Sequence, residues 1–173
     1  MMVNRSRKPL IIPISVIIFI ISIALLTFSS ARQVRVELPL HPEIHPKLFR
    51  DGSNYNGFID ITIPLNISNH SPASLKNGNI IASLSVVSIE QFGLFPDTTL
   101  VNVSKVIQTI KPHDFVQIVL DVKVSSWIPI LAVFDAYLVL DFDISLDFQL
   151  GSFSFPIHLI NRIQDTWDAP FSL

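Results

Sequence analysis

Three groups of side chains in this 173-residue chain have types and spacings that bear on chemistry. In His41-Pro42-Glu43-Ile44-His45-Pro46, two imidazoles stand at i and i+4 with a carboxylate between them, the spacing by which a helix holds a metal ion. Pro42 and Pro46 disfavour a regular helix, so the stretch is read instead as a polyproline-like connector. Asp141, Asp143 and Asp147 share one side of an alternating segment, and close carboxylates serve acid–base catalysis or calcium binding. On the wet face of a half-buried strand such acids are ordinarily just solvated, which is the expectation for these three. The third group is Asn66-Ile67-Ser68, Asn69-His70-Ser71 and Asn102-Val103-Ser104, each an N-x-Ser/Thr glycan acceptor. The pattern is cheap: Asn4-Arg5-Ser6 also matches, and Pro72 directly after the second acceptor disfavours that site. Asn66 and Asn102 are therefore the stronger glycosylation candidates and Asn69 the weaker. There is no cysteine, no G-x-S-x-G and no glycine-rich phosphate loop. The expectation is a protein without a catalytic, metal or cofactor site.

Charge is distributed unevenly. The chain has 12 Lys+Arg against 14 Asp+Glu, with Arg5, Arg7 and Lys8 in the first eight positions and every acid at or beyond Glu37. Beyond the tail the balance is nine basic to fourteen acidic residues, a net −5 that excludes the basic stripe a nucleic-acid partner needs. Between Lys8 and Arg32 lie 23 uncharged residues, Pro9 to Ala31, almost wholly Ile, Val, Leu and Phe from Leu10 to Phe28. At 1.5 Å rise per residue, about 20 residues cross a hydrocarbon core about 30 Å thick, so this run is expected to be a transmembrane helix. Pro9 and Pro13 fall in its first turns, where a missing N–H costs little. A cleavable signal peptide ending near Ser29-Ser30-Ala31 is the rival reading, but apolar regions of such peptides run only about 7–15 residues. Arg5, Arg7 and Lys8 favour a cytosolic N-terminus, which puts the rest of the chain in a lumen or outside the cell.

The elements carrying these side chains follow a period of two. In Tyr137–Leu150, Leu138, Leu140, Phe142, Ile144, Leu146 and Phe148 take one face, and the three aspartates fall on the other. Ile59, Ile61, Ile63, Leu65 and Ile67 alternate with Asp60, Thr62, Pro64, Asn66 and Ser68, with Pro64 suggesting an edge strand or a bulge. Val116, Ile118, Leu120, Val122 and Val124 form a third such set, and weaker strands are expected at 34–40, 80–89, 99–110 and 153–159. Turns are expected at Asp51–Asn54, Lys76–Asn79, Phe95–Asp97, Lys111–Asp114 and Gly151-Ser152, and a short amphipathic helix within 126–136. The resulting fold class is all-β: an antiparallel β-sandwich of about seven strands behind one N-terminal transmembrane helix. Its expected divisions are a cytosolic tail (1–8), the helix (9–31), a linker with the first strand (32–56), the sandwich (57–163) and a C-terminal tail (164–173).

This order of parts resembles membrane-anchored proteins with a type-2 late-embryogenesis-abundant (LEA type 2) domain. The local likeness lies in Ile59-Asp60-Ile61-Thr62-Ile63-Pro64-Leu65-Asn66-Ile67-Ser68-Asn69-His70-Ser71-Pro72, similar to that family's strand ending in an N-x-N-P-type turn. Phe92-Gly93 stands where plant members carry tyrosine-glycine, and the late cysteine of many members is absent. The resemblance implies a non-enzymatic role: plant members look like stress or defence proteins, and animal relatives sit in late endosomes and lysosomes. The functional expectation is thus an anchored sandwich with a binding or structural role at the lumenal or extracellular face of an endomembrane or the plasma membrane. Its partners would be the bilayer and a protein or apolar ligand. The alternative is a lipid-binding or lipid-transfer module holding an acyl chain in its apolar interior.

Overall fold

The structure, a computed structural model, describes residues 18, 21, 22, 25, 29, 32–38, 42–89 and 98–171. The run 9–31 therefore lies, but for five positions, outside the described residues, as do His41, Phe92-Gly93 and the Phe95–Asp97 turn. No helix among the described residues is long and apolar enough to cross a membrane.

Among the described residues, eight strands form two antiparallel four-stranded sheets that pack face to face. They are β1 (Val34–Glu37), β2 (Glu43–Asp51), β3 (Asn54–Asn69), β4 (Ser74–Ile89), β5 (Thr98–Ile107), β6 (Asp114–Val124), β7 (Ala136–Leu150) and β8 (Phe153–Trp167), with a one-turn helix α1 (Ile128–Leu131) between β6 and β7. In the first sheet β3 is central: β6 pairs along one side, while β1 and β2 run head to tail along the other. The second sheet has the order β5-β4-β7-β8. The alternating apolar residues of β3, β6, β4 and β7 meet between the sheets, where Ile63, Leu65, Ile67, Ile80, Phe142, Ile144 and Phe148 are essentially fully buried. Burying such side chains is worth about 1.5–3 kcal/mol each, so this layer is the main source of stability.

Several expectations change once the strands are paired. The expected first strand is β1, from Val34, but the remainder of 32–56 is not all linker: Glu43–Asp51 pairs residue for residue with Asn54–Thr62. Pro46 sits inside β2, opposite Ile59, because β2 is an edge strand whose outer N–H groups need no ladder partner. Pro64 lies in the central strand, but residues 63–65 face the break between β1 and β2, so its surroundings are locally those of an edge. The expected turn at Lys76–Asn79 is a bulge within β4, where Asn77 and Gly78 together oppose Leu146. Asn77 takes a positive φ of 50° and donates its side-chain amide to Asp147 at 2.8 Å. A Cβ on Gly78 would come within 2.5 Å of Ile107 Cβ and 2.8 Å of Leu146 Cδ2, so only glycine lets β5 and β7 close over this point.

The C-terminal tail also belongs to the domain. β8 continues to Trp167, which is buried with its Nε1 donating to the Leu131 carbonyl at 2.6 Å. Ala169 N donates to Asp135 Oδ1 and Phe171 N to the Ala132 carbonyl, strapping the segment over α1.

The two ends of the sandwich differ in how the chain crosses between sheets. At one end β3 leaves the first sheet for β4 through His70–Ala73, and β5 returns to β6 through 108–113. Leu75 and Ile110 exchange both backbone hydrogen bonds at 2.9 Å, tying these crossings together. Asn69, fully buried, spans them: its Nδ2 donates to the carbonyls of Ala73 (2.7 Å) and Lys111 (2.9 Å), and its Oδ1 accepts from Ser71 N (3.1 Å) and Ser71 Oγ (2.6 Å).

Gly57, at φ +123°, is the second position where a side chain is refused, since a Cβ would run into the Lys47 carbonyl. Gly57→Ala and Gly78→Ala are each expected to cost about 1–3 kcal/mol, seen as a lower urea midpoint at unchanged slope. A cost below about 0.5 kcal/mol at either position would contradict this packing.

Candidate functional site

The aspartate row proves to be a cross-strand polar surface whose members are taken up by neighbours. Asp141 lies opposite Arg162 and accepts from its Nε at 2.6 Å and its Nη2 at 3.0 Å. Asp143 is 3.8 Å from His158 Nδ1, and Asp147 receives the Asn77 amide. Register places Arg162 directly opposite Asp141, His158 diagonal to Asp143 on β8, and Asn77 in the β4 bulge beside Asp147. Glu43 and His45 are i,i+2 on exposed β2 with 3.8 Å between them, and no group of three metal-ligating side chains converges among the described residues.

The three glycan acceptors have different surroundings. Asn102 is exposed on β5, an edge strand, and Asn66 is half-buried on the outer face of β3. Asn69 is the buried clamp just described, and its Nδ2, the atom a glycan would occupy, is committed to backbone carbonyls. A glycan there is incompatible with this fold, so Asn69 is withdrawn as a candidate.

Pairing assembles one further surface that sequence spacing does not show. On the outer face of the first sheet, Lys47 of β2 lies opposite Phe58 of β3, and Lys123 of β6 lies opposite Asp60. Lys47 Nζ binds Asp60 Oδ2 at 2.8 Å and stands 5.2 Å from the Phe58 ring centroid, while Lys123 Nζ lies 3.7 Å from the same centroid. Thr62 Oγ1 donates to Asp121 Oδ1 at 3.3 Å beside them. His45, Lys47, Asp60, Thr62, Asp121 and Lys123 line an open concavity of about 530 Å³. The one sequence cue was Phe58 itself, an aromatic that shares the parity of Asp60 and Thr62 rather than that of the core isoleucines. Lys47 and Lys123 come from distant strands and carry no local cue. Alternating ammonium groups, carboxylates and a ring suit recognition of a polar partner; nothing in the set forms a nucleophile–base pair.

The interior is tightly filled along the opposite edge. Between β2 and β8 an apolar crevice lined by Ile44, Ile61, Leu138, Leu140 and Ile163 has about 10 Å³ of free volume, enough for about one water molecule.

No family model matches the sequence, and no curated protein matches it. Among solved structures, the chain is similar to a Northeast Structural Genomics Consortium target, SoR45, at 11% identity and a TM-score of 0.50, covering 77% of this chain and 87% of that one. It also overlaps a protein from Archaeoglobus fulgidus at 8% identity, with a TM-score of 0.39 over 75% of this chain and 97% of that one. The first likeness is one of fold alone, and the second carries no argument.

A double-mutant cycle of Lys123→Met and Phe58→Leu is expected to return a coupling of about 0.5–1 kcal/mol in denaturant unfolding. Arg162→Gln, at a pair more than a third exposed on both sides, is expected to cost less than about 1 kcal/mol. A coupling of zero would mean the ammonium–ring contact contributes nothing.

Proposed function

We propose that this protein is a single-pass membrane protein whose β-sandwich has a non-catalytic binding or structural role at the lumenal or extracellular face. The observation that carries the reading is how directly the apolar run joins the domain. Ala31 ends the run, and by Gln33 the chain is already held by the sandwich, through His70 N donating to the Gln33 carbonyl at 3.0 Å. A 23-residue uncharged stretch of the length a bilayer requires thus leads straight into a folded body. A non-catalytic role is supported by the side chains with the strongest claim to chemistry, each of which is engaged by a strand neighbour. The resemblance to LEA type 2 domains belongs to the same reading, with its implication of stress or endolysosomal proteins. The alternative role, an acyl chain carried within the sandwich, would require the β2–β8 crevice to widen well beyond the space of one water.

Glycosylation tests the topology. Expressed at full length in a eukaryotic secretory system, the protein is expected to lose mobility-shifting mass on glycosidase treatment, and Asn66→Gln with Asn102→Gln is expected to abolish that shift. Protection of the domain from external protease in sealed microsomes is expected alongside it. Protease access in sealed microsomes would place the domain in the cytosol and contradict the proposal.

A further inference from the structure

We infer that the crossing end of the sandwich, the end that carries Val34, is a docking surface for the bilayer interface, seated among lipid headgroups rather than standing clear of them. This deepens the anchored reading and rests on it.

Tether length argues first. Three backbone steps separate Ala31 from Val34, at most about 11 Å of chain even when fully extended. The headgroup layer is about 5–8 Å deep on each side of the hydrocarbon core. Gln33 is already pinned to the β3–β4 crossing, so Arg32 alone is left as slack. A domain tied this closely has its crossing end against the lipid.

Composition of that end argues second. Strand register places Asn69 and Asp114 beside Val34 in the first sheet, and Ser74 beside Gln149, with the β7–β8 turn just beyond, in the second. Around this end stand four of the exposed large apolar residues: Phe115 (67% exposed), Val106 (78%), Phe153 (49%) and Leu150 (38%). Phe115 shares a cross-strand row with Ser68 and Arg35. Exposed Arg32, Arg35 and Lys111 supply positive charge, with His70 and His113 between them. Two acids here accept hydrogen bonds, Asp114 Oδ1 from Phe115 N at 2.9 Å and Asp147 from the Asn77 amide, and Glu37 stands exposed on β1 three residues from Val34. At the opposite end lie Asp51, Asp135 and Asp168, with Arg50 beside Asp51 and Lys47 and Lys123 farther along the first sheet. Aromatic rings with flanking cations are what an interface of choline, phosphate and glycerol groups accommodates.

The absence of native cysteine allows a direct test. Single cysteines in place of Phe115, Ser152 and Ser53 are spin-labelled in the full-length chain, reconstituted in phosphatidylcholine vesicles with and without phosphatidylserine. Accessibility to oxygen and to a water-soluble nickel complex is then measured. The expected result is several-fold lower nickel accessibility at 115 and 152 than at 53, with the contrast deepened by phosphatidylserine. Ser152 keeps Phe115 native, so loss of the ring cannot by itself produce a negative result. Chain that floats with the vesicles but shows equal nickel accessibility at all three sites overturns docking while leaving the anchor intact. Chain that fails to float overturns the anchored reading, and docking with it. Protection at 115 accompanied by spin–spin broadening between chains would assign the surface to a second copy and overturn the bilayer as its occupant.

Discussion

The architecture depends on one buried amide. A sandwich needs its chain to pass between sheets, and here the β3–β4 and β5–β6 passages lie side by side at the same end. Each passage turns a backbone carbonyl toward the buried Asn69 side chain, where an unpaired polar group costs about 1–3 kcal/mol. Asn69 satisfies groups in both at once: Ala73 in the first, Lys111 in the second, and the Ser71 backbone and hydroxyl through its own oxygen. Ser71 Oγ in turn accepts from Ala73 N at 3.3 Å. Aspartate would lack the donors and alanine both functions, so the position requires an amide of this length.

That clamp gives the molecule a polarity. The crossing end is short-looped and follows the apolar run in sequence, while the other end carries the β2–β3 hairpin, α1 and the Trp167 strap. The sides differ too. Where β5 and β6 face one another, Lys105 Nζ donates to the Val119 carbonyl at 2.6 Å and Ser126 Oγ to Leu100 O, closing two sheet edges against each other. On the other side β2 and β8 leave their outer backbone groups unpaired by strands, with Pro46, Pro156 and Arg162 along them as residues that discourage further strand addition.

Much of this was legible in the sequence where one face of a strand is buried and the other wet. β3, β6 and most of β7 alternate because each lies in a sheet with one face on the core, the exception being Val139, which is buried between Leu138 and Leu140. The edge strand β2 announces itself poorly: it has a mostly exposed pattern, and its Pro46 is permitted by the very lack of a second neighbour, so its sequence reads as a connector. The Lys76–Asn79 stretch carries true turn residues, but they serve a bulge, and only the β7 partner across from it decides between the two. Asn69-His70-Ser71 is the most instructive case. The same Asn and Ser that match a glycan acceptor form a buried hydrogen-bonded turn, and the distinguishing fact, the proximity of Lys111, lies 42 residues away. The Lys47–Phe58–Lys123 surface was hidden for the same reason, since it exists only once three strands are in register.

Hydrogen–deuterium exchange on Asn69→Ala against the wild-type chain tests the central constraint most directly. If one side chain holds both passages, amide protection is lost together over 70–75 and 108–113, while the β3–β6 and β4–β7 ladders remain protected until global unfolding. Loss of protection at only one passage, or unchanged protection at both, would contradict the account.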